Sequence, residues 1–331
     1  MSNIWTKLRE NYHSGQQTLL TIAVDGPHQD QLALRDPDGH LLAGADLPLP
    51  TGVETDRLIT CGDDLLYNER IIPPANMVIF GGGHIAVPLA AIAKITGFTV
   101  TVIDDRSDFA NRERFPYADT VMALDYGVAA EKLNIGAGHY LVIVTRGHVH
   151  DRECMELALK TDAAYIGMIG SKKKVREVFD WARERGIDQE QLNRVFAPVG
   201  LPIGAQTPAE IAVSIIAEVI NERSKQPPTA DMNEILAALA AKGAETYALA
   251  TIVEAGGATP RDAGSRMLVR PDGTIIGTVG GGLGEKLVIE AAAEVIQTNC
   301  PQLLDYNLNN TLAAGEGMIC GGKFKIFVQP V

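Results

Sequence analysis

The run VIFGGGHIAVPLA contains the first group of residues that could do chemistry. Gly81, Gly83 and Ala86 fit the pattern G-x-G-x-x-A between a strand-like apolar run and a helix-like apolar pattern. In such a loop the first glycine makes a tight turn and the second lets the backbone approach a diphosphate, which the helix N-terminus then faces. The sequence therefore predicts a phosphate-binding loop at Gly81, Gly82, Gly83 and His84.

Charged side chains follow the next strand-like run, FTVTVID. Asp104 stands about 20 residues beyond the glycine loop, where a carboxylate accepts hydrogen bonds from ribose hydroxyls in dinucleotide-binding folds. This spacing favours an NAD-like ligand over an NADP-like one. Arg106 is the exception to that preference, because its guanidinium could meet a 2′-phosphate.

Polar residues also follow two later strand-like runs, in VTRGHVHD and IGMIGSKKK. Ligands of open α/β sheets bind outside the carboxyl ends of the strands, where these residues are expected. A metal site of His148, His150 and Asp151 is an alternative, although histidines one residue apart point to opposite faces of an extended segment. The predicted ligand contacts are Arg146, His148, Ser171 and Lys172.

Three glycine-rich turns near the C-terminus, in GGATPRDAGSRM, GTVGGGLGE and GMICGG, supply further candidates. Such turns suit a bulky polar ligand that the backbone approaches closely. A cysteine flanked by glycines could be a soft ligand or a sulfur carrier if its pKa is lowered, or else a small buried residue. The candidates are Arg261, Gly281, Gly282, Glu285 and Cys320.

The elements that must position these residues fall into two patterns. In the middle of the chain, the apolar runs MVIF, FTVTVID, TVMAL, HYLVIVT and AAYIGMIG alternate with helical stretches, which predicts a parallel α/β sheet. The proline-rich segments IIPPA and SKQPPTAD mark its limits.

The two ends of the chain resemble each other. GQQTLLTIAVDG matches GAETYALATIVEAGG, LALRDPDGHLLAG matches MLVRPDGTIIG, and LITCGDDLLYNERI matches GMICGGKFKIFVQPV, in the same order. Only the second copy contains the glycine loop and the helix-like run that follows it. We predict an α/β protein with a shortened module at 1–72, a Rossmann-like domain at 73–224 and a complete, smaller α+β glycine-loop module at 230–331.

Composition limits the class of function. The chain has 331 residues, 46% of them hydrophobic, and a formal net charge of −12, which argues against binding to nucleic acid. No apolar run reaches the roughly 18 residues that span a bilayer, and the N-terminal segment does not read as a secretory signal, so a cytoplasmic protein without a membrane partner is expected. The four cysteines lie far apart, which disfavours a disulfide framework or a structural zinc site.

The strings MVIFGGGHIAVPLAAIAKITGFTVTVIDDRSDFANRERFPYAD, VIVTRGHVHDREC, AAYIGMIGSKKK and APVGLPIGAQTPAEIAVSIIAEVI resemble the XdhC/CoxI family of accessory proteins for molybdenum hydroxylases. The C-terminal module resembles the family through GGATPRDAGSRMLVRPDGTIIGTVGGGLGE and CGGKFKIFVQP. Two features differ from the usual pattern of the family. Here the complete module follows the Rossmann-like domain, whereas family members usually have it in front, and Leu283 stands where the family often has a cysteine. Cys320 is then the remaining thiol candidate.

The resemblance implies a protein that binds the molybdenum cofactor, protects it and delivers it to a xanthine dehydrogenase-like hydroxylase. The resemblance also implies a cysteine desulfurase as a further partner. A homodimer is expected as well, because a second copy of the chain would cover the glycine loops of a small module. The glycine loop alone does not separate a pterin dinucleotide from NAD(P). An NAD(P)-dependent oxidoreductase and a docking module without a ligand therefore stay open as alternatives, as does enzymatic turnover, although no general base is evident.

Overall fold

The computed structural model of the chain describes residues 4–48, 55–225, 232–257, 261–307 and 322–331. The chain divides into two compact units. One combines both ends of the chain, within 1–11, 18–71 and 229–331, and the other contains the middle, within 12–17 and 72–228. The two similar ends therefore belong to one folding unit.

The N-terminal segment forms a helix and an antiparallel five-stranded sheet. Its elements are α1 (Ile4–His13), β1 (Thr18–Asp25), β2 (Leu32–Arg35), β3 (Leu41–Gly44), β4 (Arg57–Cys61) and β5 (Asp64–Ile71). The strand order is β3-β2-β1-β5-β4.

The middle of the chain forms a parallel six-stranded sheet with the order β11-β10-β9-β6-β7-β8. This is the doubly wound order of a Rossmann fold, and it confirms the predicted parallel α/β sheet. The sequence patterns missed β11, which is only two residues long. The elements are β6 (Asn76–Phe80), α2 (Ala86–Ile95), β7 (Thr99–Asp104), β8 (Thr120–Ala123), α3 (Tyr126–Leu133), β9 (His139–Ile143), α4 (His148–Leu159), β10 (Tyr165–Met168), α5 (Lys172–Glu184), α6 (Gln189–Asn193), β11 (Val195–Phe196) and α7 (Pro208–Arg223).

The C-terminal segment repeats the N-terminal arrangement and adds a long helix. Its elements are α8 (Asn233–Ala241), β12 (Ala248–Gly257), β13 (Arg266–Val269), β14 (Ile275–Gly277), α9 (Gly282–Thr298), β15 (Gln302–Asn307) and β16 (Gly322–Pro330). The strand order β14-β13-β12-β16-β15 is that of the N-terminal sheet, element for element. The shortened N-terminal copy predicted from the sequence is therefore present in the fold.

The correspondence extends to individual glycines. Gly44 and Gly277 end equivalent strands with φ values of 91° and 80°. A Cβ at Gly44 would lie 2.1 Å from the backbone oxygen of Leu32, and one at Gly277 would lie 2.5 Å from that of Arg266. Both copies thus need glycine here, because the chain turns with a positive φ against its own neighbouring strand.

Polar residues replace apolar ones at a sheet position that faces a long helix in the second copy and no corresponding helix among the described residues of the first. In the second copy Ala250 pairs with Val328 in the sheet, and both belong to the apolar cluster that includes residues of α9. At the same register of the first copy Thr21 pairs with Asn68, and the Thr21 hydroxyl donates to Asn68 Oδ1 over 3.0 Å. Both side chains are buried, so their polar atoms satisfy each other where the second copy has apolar contacts.

Asp30 is an acidic residue in a conformation that favours glycine. Its φ is 72°, and its N–H donates to the Ala23 oxygen over 2.9 Å. In the second copy Gly264, with φ of 89°, donates to the Ile252 oxygen over 2.8 Å. Burial raises the pKa of the Asp30 carboxyl to about 6. Asp30 therefore replaces the glycine of the other copy at an energetic cost, which depends on pH.

We expect Asp30→Asn to stabilise the protein at pH 7.5 and to have little effect near pH 4. The folded pKa lies above the unfolded one, so the folded state binds the extra proton, and its stability declines as pH rises from about 4 to about 6. A fully buried group with this shift would contribute roughly 3 kcal/mol, and partial exposure reduces the expected gain to about 1 kcal/mol. Urea denaturation at pH 7.5 and near pH 4 measures the change in the free energy of unfolding. Equal changes at the two pH values would contradict the prediction. Asparagine also tolerates the positive φ.

Candidate functional site

The glycine loop lies where the strand order of the parallel sheet reverses. It follows β6, which pairs with β7 on one side and with β9 on the other. The helix after β6 is α2, and the helix after β9 is α4. In open α/β sheets, ligands bind in the crevice that forms at this reversal, outside the carboxyl ends of the strands.

The three loop glycines meet different surroundings. Gly81 has a φ of 110°, and a Cβ there would lie 2.5 Å from the Val144 backbone oxygen. A Cβ on Gly82 would lie 2.2 Å from the Phe109 backbone oxygen, whereas one on Gly83 would meet nothing within 4 Å. Packing of the chain itself therefore requires the first two glycines, while Gly83 borders open space.

The backbone polar groups of Gly82 are bonded within the protein, whereas the N–H groups of the next three residues have no acceptor among the described residues. The Gly82 N–H donates to Asp104 Oδ2 over 2.8 Å, and the Gly82 oxygen accepts from Arg114 over 3.1 Å. The N–H groups of Gly83, His84 and Ile85 donate to no acceptor in the described part of the chain. The His84 side chain is exposed just before α2. The site residues predicted here thus lie together, with hydrogen-bond donors free beside the open position.

Helix capping distinguishes the two helices beside the crevice from the others in this unit. Four helices, α3, α5, α6 and α7, begin with a side-chain cap from Asp125, Ser171, Asp188 and Thr207 respectively. Within the described ranges no side chain caps α2 or α4, whose capping positions are Ile85 and Gly147. Uncapped helix N-termini carry partial positive charge and unsatisfied N–H groups. Both helices at the strand-order reversal are therefore suited to bind an anion.

Asp104 is fully engaged inside the protein. It is buried, its Oδ1 accepts from Arg106 N and Nε over 3.1 and 2.8 Å, and its Oδ2 accepts from Arg106 Nη2 and Gly82 N over 3.0 and 2.8 Å. Burial opposes ionisation, but the bonds from the Arg106 side chain and the Gly82 N–H outweigh it and hold the pKa of Asp104 below its ordinary value. The predicted ribose contact would have to replace one of these bonds, because the carboxylate already braces the loop.

An aromatic ring and two guanidinium groups lie together next to the loop. The Arg106 guanidinium lies 3.6 Å from the centre of the Phe109 ring, and that of Arg114 lies 5.1 Å from it. The predicted contact of Arg106 with a 2′-phosphate would compete with its stacking and its two side-chain bonds to Asp104. Arg114 was not among the predicted site residues, although it lies in the string FANRERFP, which contributes to the family resemblance.

Arg146 pairs with Asp105, which was not among the predicted site residues. Its Nη2 lies 2.9 Å from Asp105 Oδ2, and both side chains are partly exposed, at 47% and 28%. Arg146 follows β9 and Asp105 follows β7, with β6 between those strands. The pair therefore joins the two sides of the crevice beyond the end of β6. Two adjacent aspartates in VIDDR were the available signal.

The anion contact predicted at Ser171 and Lys172 stays a prediction, and Ser171 also has a role in the fold. The Ser171 hydroxyl accepts from the Lys174 N–H over 3.2 Å, so it caps α5 itself. Lys172 is exposed. Lys174, which was not among the predicted site residues, pairs with the buried Asp151, and Asp151 Oδ1 accepts from the Thr145 hydroxyl over 2.6 Å. This ion pair links the first turns of α4 and α5.

These contacts weaken the metal alternative. Both Asp151 oxygens contact other side chains, and His150 Nδ1 lies 3.5 Å from Glu153 Oε2. The side chain of His148 lies outside the described part of the chain. Among the described residues, the acidic and histidine side chains close enough together to hold a metal ion are Asp36, Asp38 and His40 in the β2–β3 turn.

The second glycine loop, in the other unit, is closed by its own carboxylate. Gly280, Gly281 and Gly282 have φ values of 122°, 76° and 64°, a run that favours glycine. Glu285 Oε2 accepts from the Gly281 N–H over 3.0 Å and from the Thr278 hydroxyl over 2.7 Å. Glu285 thus holds the loop at the start of α9, and a contact with a ligand stays a prediction.

The remaining C-terminal candidates are Arg261 and Cys320. Arg261 is exposed, and Cys320 lies outside the described residues. Of the other cysteines, Cys61, Cys154 and Cys300 are free thiols. Burial raises the pKa of the Cys154 thiol well above its ordinary value, so this cysteine is unsuited to thiolate chemistry. A ligand that reaches both glycine loops stays a prediction.

Similarity to known proteins agrees with this arrangement. The family model described as the XdhC Rossmann domain matches residues 77–219, and the one described as the XdhC and CoxI family matches residues 240–307. The structure contains, in its described ranges, no helix long and apolar enough to cross a membrane.

Two curated proteins and one solved structure are similar over part of their length. The chain is 34% identical to the uncharacterized protein YqeB of Escherichia coli K12 over 46% of this chain and 28% of that one. It is 29% identical to a probable xanthine dehydrogenase subunit of Bacillus subtilis 168 over 67% of this chain and 65% of that one. A crystal structure of a xanthine dehydrogenase from Bacillus halodurans is 23% identical with a TM-score of 0.45, over 69% of this chain and 66% of that one.

The chain thus matches less than two thirds of the length of each of these curated relatives. The two family matches, however, fall on separate parts of the chain that the fold also separates, the parallel sheet and the C-terminal glycine-loop module. With both of these domains present, the protein belongs to the XdhC and CoxI family.

Proposed function

We propose that this protein is an accessory protein of a xanthine dehydrogenase-like molybdenum hydroxylase, for which it binds, protects and delivers the molybdenum cofactor. The observation that carries the proposal is the pair of uncapped helix N-termini, of α2 and α4, on either side of the strand-order reversal. A phosphate-bearing pterin offers the anion that such helix ends bind. The family membership and the similarity to a probable xanthine dehydrogenase subunit support the choice of partner.

The residues of the crevice fit the phosphate end of this cofactor. Gly83 borders open space, and the N–H groups of Gly83, His84 and Ile85 are free to donate to phosphate oxygens, within the described residues. Arg146 adds a positive charge on the other side of the crevice. When bound, the cofactor supplies the molybdenum and pterin chemistry that the hydroxylase uses. This chain would hold its phosphates.

The same residues favour binding and release over turnover. A general base needs a carboxylate or imidazole free to take a proton. Asp104 is engaged by four hydrogen bonds and Asp105 pairs with Arg146, so neither carboxylate is free for this role. His84 is exposed, and none of the described side chains bonds to its ring to orient it as a base. Release of the cofactor would then depend on competition by the hydroxylase for the same ligand. A cysteine desulfurase as a second partner and a homodimer remain parts of the proposal.

The test is titration calorimetry with molybdenum cofactor, NAD(H) and NADP(H) on the same preparation, with Gly83→Asp as the variant. A carboxylate beside the free N–H groups would repel phosphate by a few kcal/mol at short range, so we expect the affinity for the cofactor to fall by about 100-fold. Gly243→Asp is the matched control, because this glycine also meets nothing within 4 Å and lies in the other unit. It should leave binding unchanged.

Other outcomes select the alternatives. Tight binding of NAD(H) or NADP(H) without the pterin cofactor would replace the proposal with an oxidoreductase. If the folded protein binds none of these ligands, and if capture of the hydroxylase is insensitive to Gly83→Asp, the protein is a docking module without a ligand.

A further inference from the structure

The ion pair between Arg146 and Asp105 lies at the place that a ligand's phosphates would occupy under the proposed function. It joins the residues after β9 to those after β7, beyond the end of β6 between them. The loop that follows β6 contacts both sides, since a Cβ on Gly81 would meet Val144 and one on Gly82 would meet Phe109. The Asp105 carboxylate is therefore an anion already present at a phosphate-binding crevice.

The two neighbouring aspartates differ in how firmly they are held. Asp104 is buried and accepts four hydrogen bonds, from Arg106 and from the Gly82 N–H. Asp105 has one close partner, Arg146, over 2.9 Å, and Arg106 Nε lies 3.8 Å away. Partly exposed pairs of this kind contribute little to stability, so the fold can exchange this one readily. Asp104 is structural, whereas Asp105 is replaceable.

We propose that Asp105 is a built-in competitor of the ligand: it holds Arg146 in the free protein, and a diphosphate group displaces it to pair with Arg146. This inference rests on the proposed function for the position of the crevice, and it adds the residue that sets the affinity. A carboxylate and a phosphate are interchangeable partners for a guanidinium. The competition weakens binding, which suits a protein that must release its ligand to a partner.

The test uses inorganic pyrophosphate and ADP as probes in calorimetric titrations of the full chain. We expect Asp105→Asn to bind pyrophosphate about fivefold more tightly, since it frees Arg146 and removes a nearby negative charge. The gain should shrink from about 20 mM to about 500 mM salt, because screening weakens interactions between exposed charges. Arg146→Gln should bind less tightly, and in that background Asp105→Asn should bring a smaller gain, because only the removal of the negative charge then acts. Asp108→Asn, an exposed aspartate of the same segment, is the charge-matched control.

Two results would overturn the inference. If Asp105→Asn leaves pyrophosphate binding unchanged or weaker, Asp105 does not compete with the ligand. If it weakens ADP but not pyrophosphate, Asp105 is instead a ribose contact. If pyrophosphate binding follows the expected pattern but the molybdenum cofactor does not bind, only the proposed function is contradicted, and the inference about Asp105 stands. If the wild-type protein binds neither the probes nor the cofactor, both proposals fail.

Discussion

Glu69→Gln should lower the free energy of unfolding of the unit formed by the two chain ends by about 3–5 kcal/mol. Glu69 on β5 and Arg266 on β13 form a two-point ion pair with distances of 2.5 and 2.9 Å, and their side chains are 5% and 1% exposed. The substitution would leave a buried guanidinium without its counter-charge. Because this pair joins the two copies of the repeated module, its loss should loosen their association.

The two tryptophans allow the measurement to be made on one unit at a time. Trp5 belongs to the unit with both chain ends and Trp181 to the other. In a Trp181→Phe background, urea denaturation followed by fluorescence therefore reports the unit that contains Glu69. Glu254→Gln is the matched control: its pair with Lys325 is partly exposed, so it should cost under about 1 kcal/mol.

A double variant separates loss of the pair from loss of packing. Glu69→Met combined with Arg266→Met should recover most of the stability, because a buried ion pair can be replaced by apolar side chains of similar size. If Glu69→Gln costs no more than the exposed control, the pair does not hold the copies together.

Gly81→Ala should cost about 3 kcal/mol or more, whereas Gly83→Ala should change stability by under about 1 kcal/mol. At Gly81 the new methyl group would lie 2.5 Å from the Val144 backbone oxygen, in a backbone with a φ of 110°. At Gly83 it would meet nothing within 4 Å. Gly81 is therefore required by the fold, whereas Gly83 keeps the crevice open to a ligand.

Denaturation in a Trp5→Phe background follows this unit through Trp181. The same two variants should be titrated with pyrophosphate. Gly83→Ala should remain folded and still bind less tightly, because its methyl group occupies the space in which a phosphate would approach the backbone. Equal stability of the two variants would contradict the assignment of Gly81 to the turn.

Much of the parallel sheet was predictable because its strands are continuous apolar runs separated by helical patterns. The runs MVIF, FTVTVID, TVMAL, HYLVIVT and AAYIGMIG all contain strands of the sheet. The two-residue β11 was missed, since so short a strand has no periodicity to detect. The repeat was predictable for a similar reason, because Asp-Gly turns and glycines at positive φ are local requirements of the chain.

The partners of the charged residues were not predictable. The ribose contact of Asp104 stays a prediction, and only the structure shows that this carboxylate also braces the loop through Gly82 and Arg106. Glu69 and Arg266 are 197 residues apart in sequence, and no local pattern connects them. Side-chain pairing depends on how elements meet in space, which periodicity does not encode.

The sequence by itself determined the elements, the repeated module, the glycine loop and the family, because each rests on short-range patterns of residue type and spacing. Only the tertiary structure decided that both chain ends form one unit, that Glu69 pairs with Arg266, and that Asp105 holds Arg146. These features depend on which distant groups the folded chain brings within hydrogen-bonding distance, and that is a property of packing.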